Sequence, residues 1–204
     1  MSDLSFSPAA ERNKQPILER LLGILGREGA ALEIASGTGQ HAEWFATALP
    51  GWRWQTSDAD ARALPALARR VEQSGLPGLG KPVLLDVLDA SWPSQGTAFA
   101  QDFDAIYCAN MLHISPWPTC AALMQGAARH LRPGGVLLTY GPYFEEGVAP
   151  APSNLAFDQS LRERDPAWGI RSLTQVEAQA REAGLRLHAR HAMPANNLLL
   201  VFGR

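Results

Sequence analysis

Several features that would mark a function class are scarce in this chain. Only two cysteines, Cys108 and Cys120, occur in 204 residues. Two are too few for a disulfide framework or a four-ligand zinc site. Lysine is nearly missing, with Lys14 and Lys81 alone, and eighteen cationic residues stand against twenty acids for a formal charge of −2. Binding along a phosphate backbone needs a clear cationic excess, so nucleic acid is not an expected partner. No apolar run approaches the roughly 18 residues of a membrane-spanning helix, so no membrane partner is expected. The start, Met1-Ser2-Asp3-Leu4, has neither a basic nor an apolar leader segment, which predicts no secretory signal and a cytoplasmic location. No set of histidines and carboxylates stands at ligand spacing, so no metal is expected. What remains is ordinary: 46% hydrophobic and 19% charged residues suit a globular chain, and the length suits one domain over residues 1–204.

The apolar pattern alternates between helix and strand. Ile17, Leu18, Leu21, Leu22 and Leu25 recur at helical spacing, predicting a helix over 15–25 inside an N-terminal segment, 1–28, read as a cover. Pro16 suits its first turn and Gly26 its end. Short apolar runs then predict strands at 31–35, 52–56, 83–85, 103–109 and 136–140, with helices near 42–49, 61–71 and 123–131 between them. Strands that are apolar throughout, alternating with helices, argue an α/β fold whose parallel sheet is covered on both faces. Residues 141–171 break the rhythm: they are rich in Pro, Asn, Asp and Arg, with one short helix near 157–164. A connection this long predicts a lid or binding loop. A helix at 173–183 follows, then strands at 185–192 and 198–202 joined through Pro194-Ala195-Asn196. So tight a turn makes that pair an antiparallel hairpin.

The densest signal is Leu32-Glu33-Ile34-Ala35-Ser36-Gly37-Thr38-Gly39-Gln40-His41-Ala42, a strand entering a glycine turn and then a helix. Gly37 and Gly39 let backbone N–H groups approach a ligand near a helix N-terminus. Three acids sharpen the pattern. Glu33 lies inside the strand, where its charge needs a partner. Asp58 ends the second strand, where an acid holds ribose hydroxyls, and Asp86, beside Val87, ends the third and suits an exocyclic amine. The plain structural alternative makes the glycines a turn and the aspartates caps of the following helices. A pyrophosphate at that helix N-terminus would be repelled by Glu33, whereas a cofactor bearing a sulfonium and an α-amino group would be welcomed. S-adenosyl-L-methionine therefore fits better than a nicotinamide dinucleotide.

The stretch 32–39 resembles the first motif of class I S-adenosylmethionine-dependent methyltransferases, and Phe103-Asp104-Ala105-Ile106 and Leu131-Arg132-Pro133-Gly134-Gly135 are similar to later motifs of that family. One departure is Ala35, where most members have glycine. More closely, the chain resembles a methyltransferase-like subfamily of unknown function, through Ser7-Pro8-Ala9-Ala10-Glu11-Arg12-Asn13, residues 35–41, residues 107–117, Tyr140-Gly141-Pro142-Tyr143, Ala151-Pro152-Ser153-Asn154, Arg164-Asp165-Pro166 and Met193-Pro194-Ala195-Asn196-Asn197. The resemblance implies a Rossmann-like, mostly parallel seven-stranded sheet in the order 3-2-1-4-5-7-6. It implies S-adenosyl-L-methionine as cofactor, with S-adenosyl-L-homocysteine as product, and names no substrate.

Methyl transfer from a sulfonium is an in-line displacement, for which a protein supplies alignment, exclusion of water and sometimes a base. The expected cofactor set is Arg12, Asn13, Glu33, Ala35, Ser36, Gly37, Gly39, His41, Asp58, Asp86, Val87, Asn110 and Met111. Within it, Asn110 would meet the methionyl amino group or simply form a turn, and Arg12 would meet the carboxylate or only cap a helix. His113 is the candidate base, since an ordinary imidazole titrates near neutrality, and Tyr143 is the second catalytic candidate. Trp117, Tyr140, Asn154, Arg162, Asn196 and Asn197 are expected on the substrate side. Their alternatives are a hairpin turn at Asn196-Asn197 and surface ion pairs of Arg162 with Asp158 or Asp165. The leading function is methylation of a small molecule by a monomer or homodimer; the alternative is a non-catalytic scaffold or sensor that binds the same cofactor.

Overall fold

The computed structural model describes residues 4–99 and 102–204; the reading of Met1 to Asp3 lies outside them. Seven strands form one sheet: β1 (Gly29–Ile34), β2 (Trp52–Asp58), β3 (Leu79–Leu84), β4 (Phe103–Ala109), β5 (Leu131–Gly141), β8 (Arg186–Met193) and β9 (Asn197–Gly203). Their order is β3-β2-β1-β4-β5-β9-β8. That is the order the resemblance implies, since β8 and β9 are the sixth and seventh strands of this sheet in chain order. Two further short strands, β6 (Tyr143–Phe144) and β7 (Arg171–Ser172), pair in parallel with each other. Among the described residues no helix is long and apolar enough to cross a membrane, and no group of three or more His, Cys, Asp or Glu is placed to hold a metal ion.

The chain divides into two compact units, one ending at Tyr107 and one starting at Cys108. In the first, β1 pairs in parallel with β2, and β2 with β3. Five of the six residues of β1 are buried, as expected of a central parallel strand covered on both faces. Helix α2 (Gln40–Ala48) and helix α3 (Leu64–Ser74) follow β1 and β2. Phe45, Trp54, Tyr107 and His41 form an aromatic cluster with ring centroids 5.4 to 6.1 Å apart, the edge-on and offset geometry that ring quadrupoles favour.

Helix α1 spans Pro8–Ile24, seven residues earlier at its start than apolar spacing predicts. Ser7 caps it by accepting the Ala10 N–H at 3.3 Å, and Pro8 takes the first turn, where its missing N–H is no loss. Pro16 therefore lies inside the helix. The first half of α1 is held by polar contacts, which leave no apolar stripe to read.

In the second unit, β9 pairs antiparallel with both β5 and β8. Helices α4 (Pro118–His130), α5 (Pro152–Arg164) and α6 (Leu173–Glu182) complete it. The long segment 141–171 is more regular than expected, because α5 begins at Pro152. Its apolar residues Leu155 and Phe157 are exposed while Leu161 is buried, so the helical period is blurred.

Candidate functional site

The three acids singled out in the sequence stand at the carboxyl ends of three adjacent parallel strands. Glu33 is the fifth residue of β1, Asp58 the last of β2, and Asp86 lies two residues past β3. The Leu85 N–H donates to the Asp58 carbonyl at 2.9 Å, which carries the pairing of these strands up to Asp86. Ligands bind at this edge in open parallel sheets.

Glu33 is only 2% exposed. One carboxylate oxygen, Oε2, accepts the Ser36 hydroxyl at 3.1 Å and the Trp54 indole N–H at 3.3 Å. No cation pairs with it among the described residues. Burial pushes its pKa up to about 8, with the charge of Asp58 adding to the rise and the Ser36 and Trp54 bonds opposing it. A buried acid with only neutral partners is costly to ionise unless a positive group joins it.

Asp58 performs the cap-like role first. Its Oδ2 accepts the Gly37 N–H at 2.9 Å and its Oδ1 the Asp60 N–H at 2.9 Å. Asp86 likewise accepts the Leu88 N–H at 2.9 Å, while its own N–H donates to Ser94 Oγ. Each carboxylate offers about four lone-pair sites, so these bonds leave room for a ligand's hydroxyl or amine. Val87, next to Asp86, is buried.

The two turn glycines are needed for different reasons. Gly37 has φ of +54° and open space where a Cβ would sit; Gly39, at +74°, would place a Cβ 2.5 Å from Leu67 Cδ1 and 2.9 Å from Arg70 Cδ. Ala35 is also left-handed, at φ +55°, a conformation in which an L side chain is strained. Ser36 closes the turn: its N–H donates to the Ser57 carbonyl and its Oγ accepts the Ser57 N–H.

Two expected cofactor residues are engaged with one another. His41 Nε2 lies 2.6 Å from Asn13 Oδ1, and His41 Nδ1 lies 3.3 Å from the Tyr107 hydroxyl. Burial lowers the His41 pKa to about 4, so the neutral ring donates to Asn13 and accepts from Tyr107. This pins α1 to α2. Arg12, by contrast, is exposed and forms no ion pair among the described residues.

Sequence reasoning missed two polar hubs. Gln40 accepts the Ser7 N–H at 2.5 Å and the Thr38 hydroxyl, and donates to Glu11. Arg70, only 9% exposed, donates to the Thr38 carbonyl at 2.6 Å, to Glu43 at 2.6 Å and to the Ser5 carbonyl at 2.7 Å. Together they lash the N-terminal segment to the glycine turn. Arg70 was readable in principle: it lies three residues after Leu67 and one before Val71, on the buried stripe of α3, where a charged residue needs an explanation.

The second unit holds the other candidates. Asn110 has φ of +58° and its N–H donates to the Tyr140 carbonyl at 2.8 Å, the turn geometry asparagine tolerates. Met111 beside it is half-buried. His113 is buried, and desolvation together with the charge of Arg171 lowers its pKa to about 4. It is not the near-neutral base that an ordinary imidazole would supply. A Cβ on Gly141 would sit 3.3 Å from its Nδ1, and the Phe157 ring meets it edge-on at 5.5 Å. The Tyr143 hydroxyl donates to Thr139 Oγ1 at 2.9 Å, and burial raises its pKa strongly. Both catalytic candidates are thus neutral and buried. The two cysteines are buried and free.

Arg162 makes the surface ion pair anticipated as its alternative, with Asp158 at 2.9 Å. Arg171 is a third missed hub. It donates to the carbonyls of Leu112, Ser115 and Ala167, and its guanidinium lies 5.6 Å from the centre of the Trp117 ring. Tyr140 is buried in β5. Tyr143, Asn154, Asn196 and Asn197 come together around one cavity of 220 Å³; Trp117, Tyr140 and Arg162 do not line it.

Solved structures similar to this chain include methyltransferases. An O-methyltransferase family protein from Burkholderia thailandensis superposes with a TM-score of 0.78 at 18% identity, covering 96% of this chain and 57% of that one. An O-methyltransferase family 2 protein from Planctomyces limnophilus, solved in complex with apigenin, gives 0.76 at 19% identity, covering 96% and 60%. Human N-acetylserotonin methyltransferase in complex with SAM gives 0.74 at 16% identity, covering 96% and 52%. The chain therefore spans a little over half the length of these proteins, and the likeness is one of fold, a Rossmann-like α/β sheet. A family model matches residues 4–204, and the chain belongs to the family it describes, protein of unknown function DUF938.

Proposed function

We propose that this protein binds S-adenosyl-L-methionine and transfers its methyl group to a small-molecule acceptor. The observation that carries the reading is Glu33, a buried carboxyl at the end of β1 with neutral hydrogen-bond donors and no cation. A ligand that brings a positive charge to this edge stabilises the ionised acid, whereas one that brings a phosphate gains nothing from it and only holds it protonated. The human neighbour solved with SAM supports the same cofactor.

When bound, the cofactor supplies an electrophilic methyl on a sulfonium. The residues of this chain bind and orient it. Glu33 answers the positive methionyl end, Asp58 accepts ribose hydroxyls beside its bond to Gly37, and Asp86 with Val87 receives the adenine. Ala35, Ser36, Gly37 and Gly39 form the backbone turn against it. Asn110 and Met111 serve the methionyl part, and Arg12 serves its carboxylate. Asn13 and His41 act indirectly, by fixing α1 as the cover of residues 1–28. The acceptor side belongs to the second unit, with segment 141–171 as its lid and Trp117, Tyr140, Asn154, Arg162, Asn196 and Asn197 as its candidates. His113 and Tyr143 shape that side as neutral groups, so alignment rather than a strong base drives the transfer.

Calorimetry tests the reading directly. Saturable binding of S-adenosyl-L-methionine and S-adenosyl-L-homocysteine is expected, and it should weaken in Glu33→Gln. No binding of either would sink it. The burial of both catalytic candidates favours one second reading, a scaffold or sensor that binds the cofactor without turnover. Formation of S-adenosyl-L-homocysteine from a mixed metabolite extract, dependent on Asp58, separates the two.

A further inference from the structure

The cavity in the second unit is built by β6, the loop after it, the first turn of α5, and the β8–β9 hairpin. Its apolar walls include Tyr143, Val148, Pro150, Met193 and Leu198. The two charges on it neutralise each other: Arg190 donates to both oxygens of Glu145, at 2.7 and 2.5 Å. A bidentate pair of this kind leaves little net field for an ionic ligand.

Its polar groups have one sense. Asn197 turns its Nδ2 back on the Pro194 and Ala195 carbonyls, and Asn196 donates to Ser153 Oγ. Asn154 is 8% exposed, and its Nδ2 donates to the Asn196 carbonyl at 3.1 Å. That bond sets the orientation of the amide. No donor among the described residues reaches its Oδ1. The Tyr143 hydroxyl is turned onto Thr139 and offers nothing here. That oxygen is not among the fully buried unpartnered atoms; it is an open acceptor on a residue that lines the cavity, where a ligand's O–H or N–H can take the place of water. At 220 Å³ the cavity is below the ~300–1,000 Å³ of sites for drug-sized molecules.

We propose that this cavity binds a neutral molecule about one ring in size that presents an O–H or N–H to Asn154. This molecule is of the class that receives the methyl group; the acceptor role rests on the function proposed above, whereas the binding does not.

Phenol is the probe, with toluene and anisole as controls that lack the donor, titrated into the ¹⁵N-labelled full chain without cofactor. Phenol should shift the Asn154 side-chain amide saturably, with toluene and anisole at least tenfold weaker. Ala149→Trp, which fills the cavity from its rim without touching the Asn154 bonds, should weaken phenol at least tenfold. Its thermal midpoint and its S-adenosyl-L-methionine affinity should stay unchanged. Equal binding of toluene, or unchanged phenol affinity in Ala149→Trp, overturns the site. With cofactor added, single-ring phenols or anilines should yield S-adenosyl-L-homocysteine, at least tenfold more slowly in Ala149→Trp. Equal rates, or bound phenol with no product, overturn the acceptor role. If the cofactor itself fails to bind, the functional reading falls while the phenol titration still decides the cavity.

Discussion

The carboxyl edge of β1–β3 and the hairpin cavity of the second unit handle charge in opposite ways. At the first, Glu33 is buried among neutral donors. At the second, Glu145 is held by both arms of Arg190. Both regions also use left-handed backbone. The first places glycines at Gly37 and Gly39 beside the lone alanine Ala35, whereas the second has Ala195 and Asn196 both at φ of +57°, their carbonyls held by the side chains of Asn197 and Asn154. An uncompensated charge asks for a ligand of opposite sign, and a self-neutralised pocket asks for a neutral one. The two ligands proposed above, a cationic methyl donor and a neutral acceptor, divide along that line.

Titration should break the comparison most sharply. The folded pKa of Glu33, about 8, lies above its ordinary 4.5. Its contribution to stability is therefore fully present below about 4.5 and lost as pH rises through 8. Glu33→Gln should abolish that loss between pH 4.5 and 8, on the order of a few kcal/mol given ~1.4 kcal/mol per pKa unit. Binding of the cationic cofactor should release a proton between those pH values, and in Glu33→Gln should not. His113 behaves inversely. Its pKa falls from 6.5 to about 4, so its contribution is present above 6.5 and lost as pH falls through 4. His113→Asn should flatten part of the acid limb; His41, lowered in the same way, should account for another part. Urea unfolding across pH checks all three, and an unchanged fall in stability between pH 4.5 and 8 in Glu33→Gln would refute the assignment.

Next in size are the glycines. Gly39→Ala should cost about 3 kcal/mol, combining left-handed strain with overpacking against Leu67 and Arg70. Gly37→Ala should cost only about 1 kcal/mol, from strain alone. Equal losses in thermal melts would contradict the close approach at Gly39. Asp58→Ala should weaken cofactor affinity by about 1–3 kcal/mol through lost charge-assisted bonds; unchanged calorimetric affinity would remove the ribose role. The smallest effect is expected of Ala35→Gly, a gain of about 0.5–1 kcal/mol as left-handed strain is relieved against a more flexible unfolded chain.

Legibility followed the same division. The strand–turn–helix around Gly37 and Gly39 and the acids at the ends of β2 and β3 were readable because each depends on neighbours within a few residues. The early start of α1 was not, because the contacts that fix it, Asn13 with His41 and Glu11 with Gln40, join residues 28 and 29 positions apart. The full length of α5 was hidden by exposed Leu155 and Phe157. The catalytic reading of His113 assumed an ordinary imidazole, and only burial beside Arg171 overrides that.

Local chemistry alone thus determined the alternating α/β pattern, the glycine turn and the C-terminal hairpin, since backbone sterics and apolar periodicity act over a few residues. Tertiary structure decided protonation and availability: which acid lacks a cation, which histidines stay neutral, which asparagine keeps an oxygen free. Those properties depend on desolvation and on partners from distant parts of the chain, and no short stretch of sequence contains them.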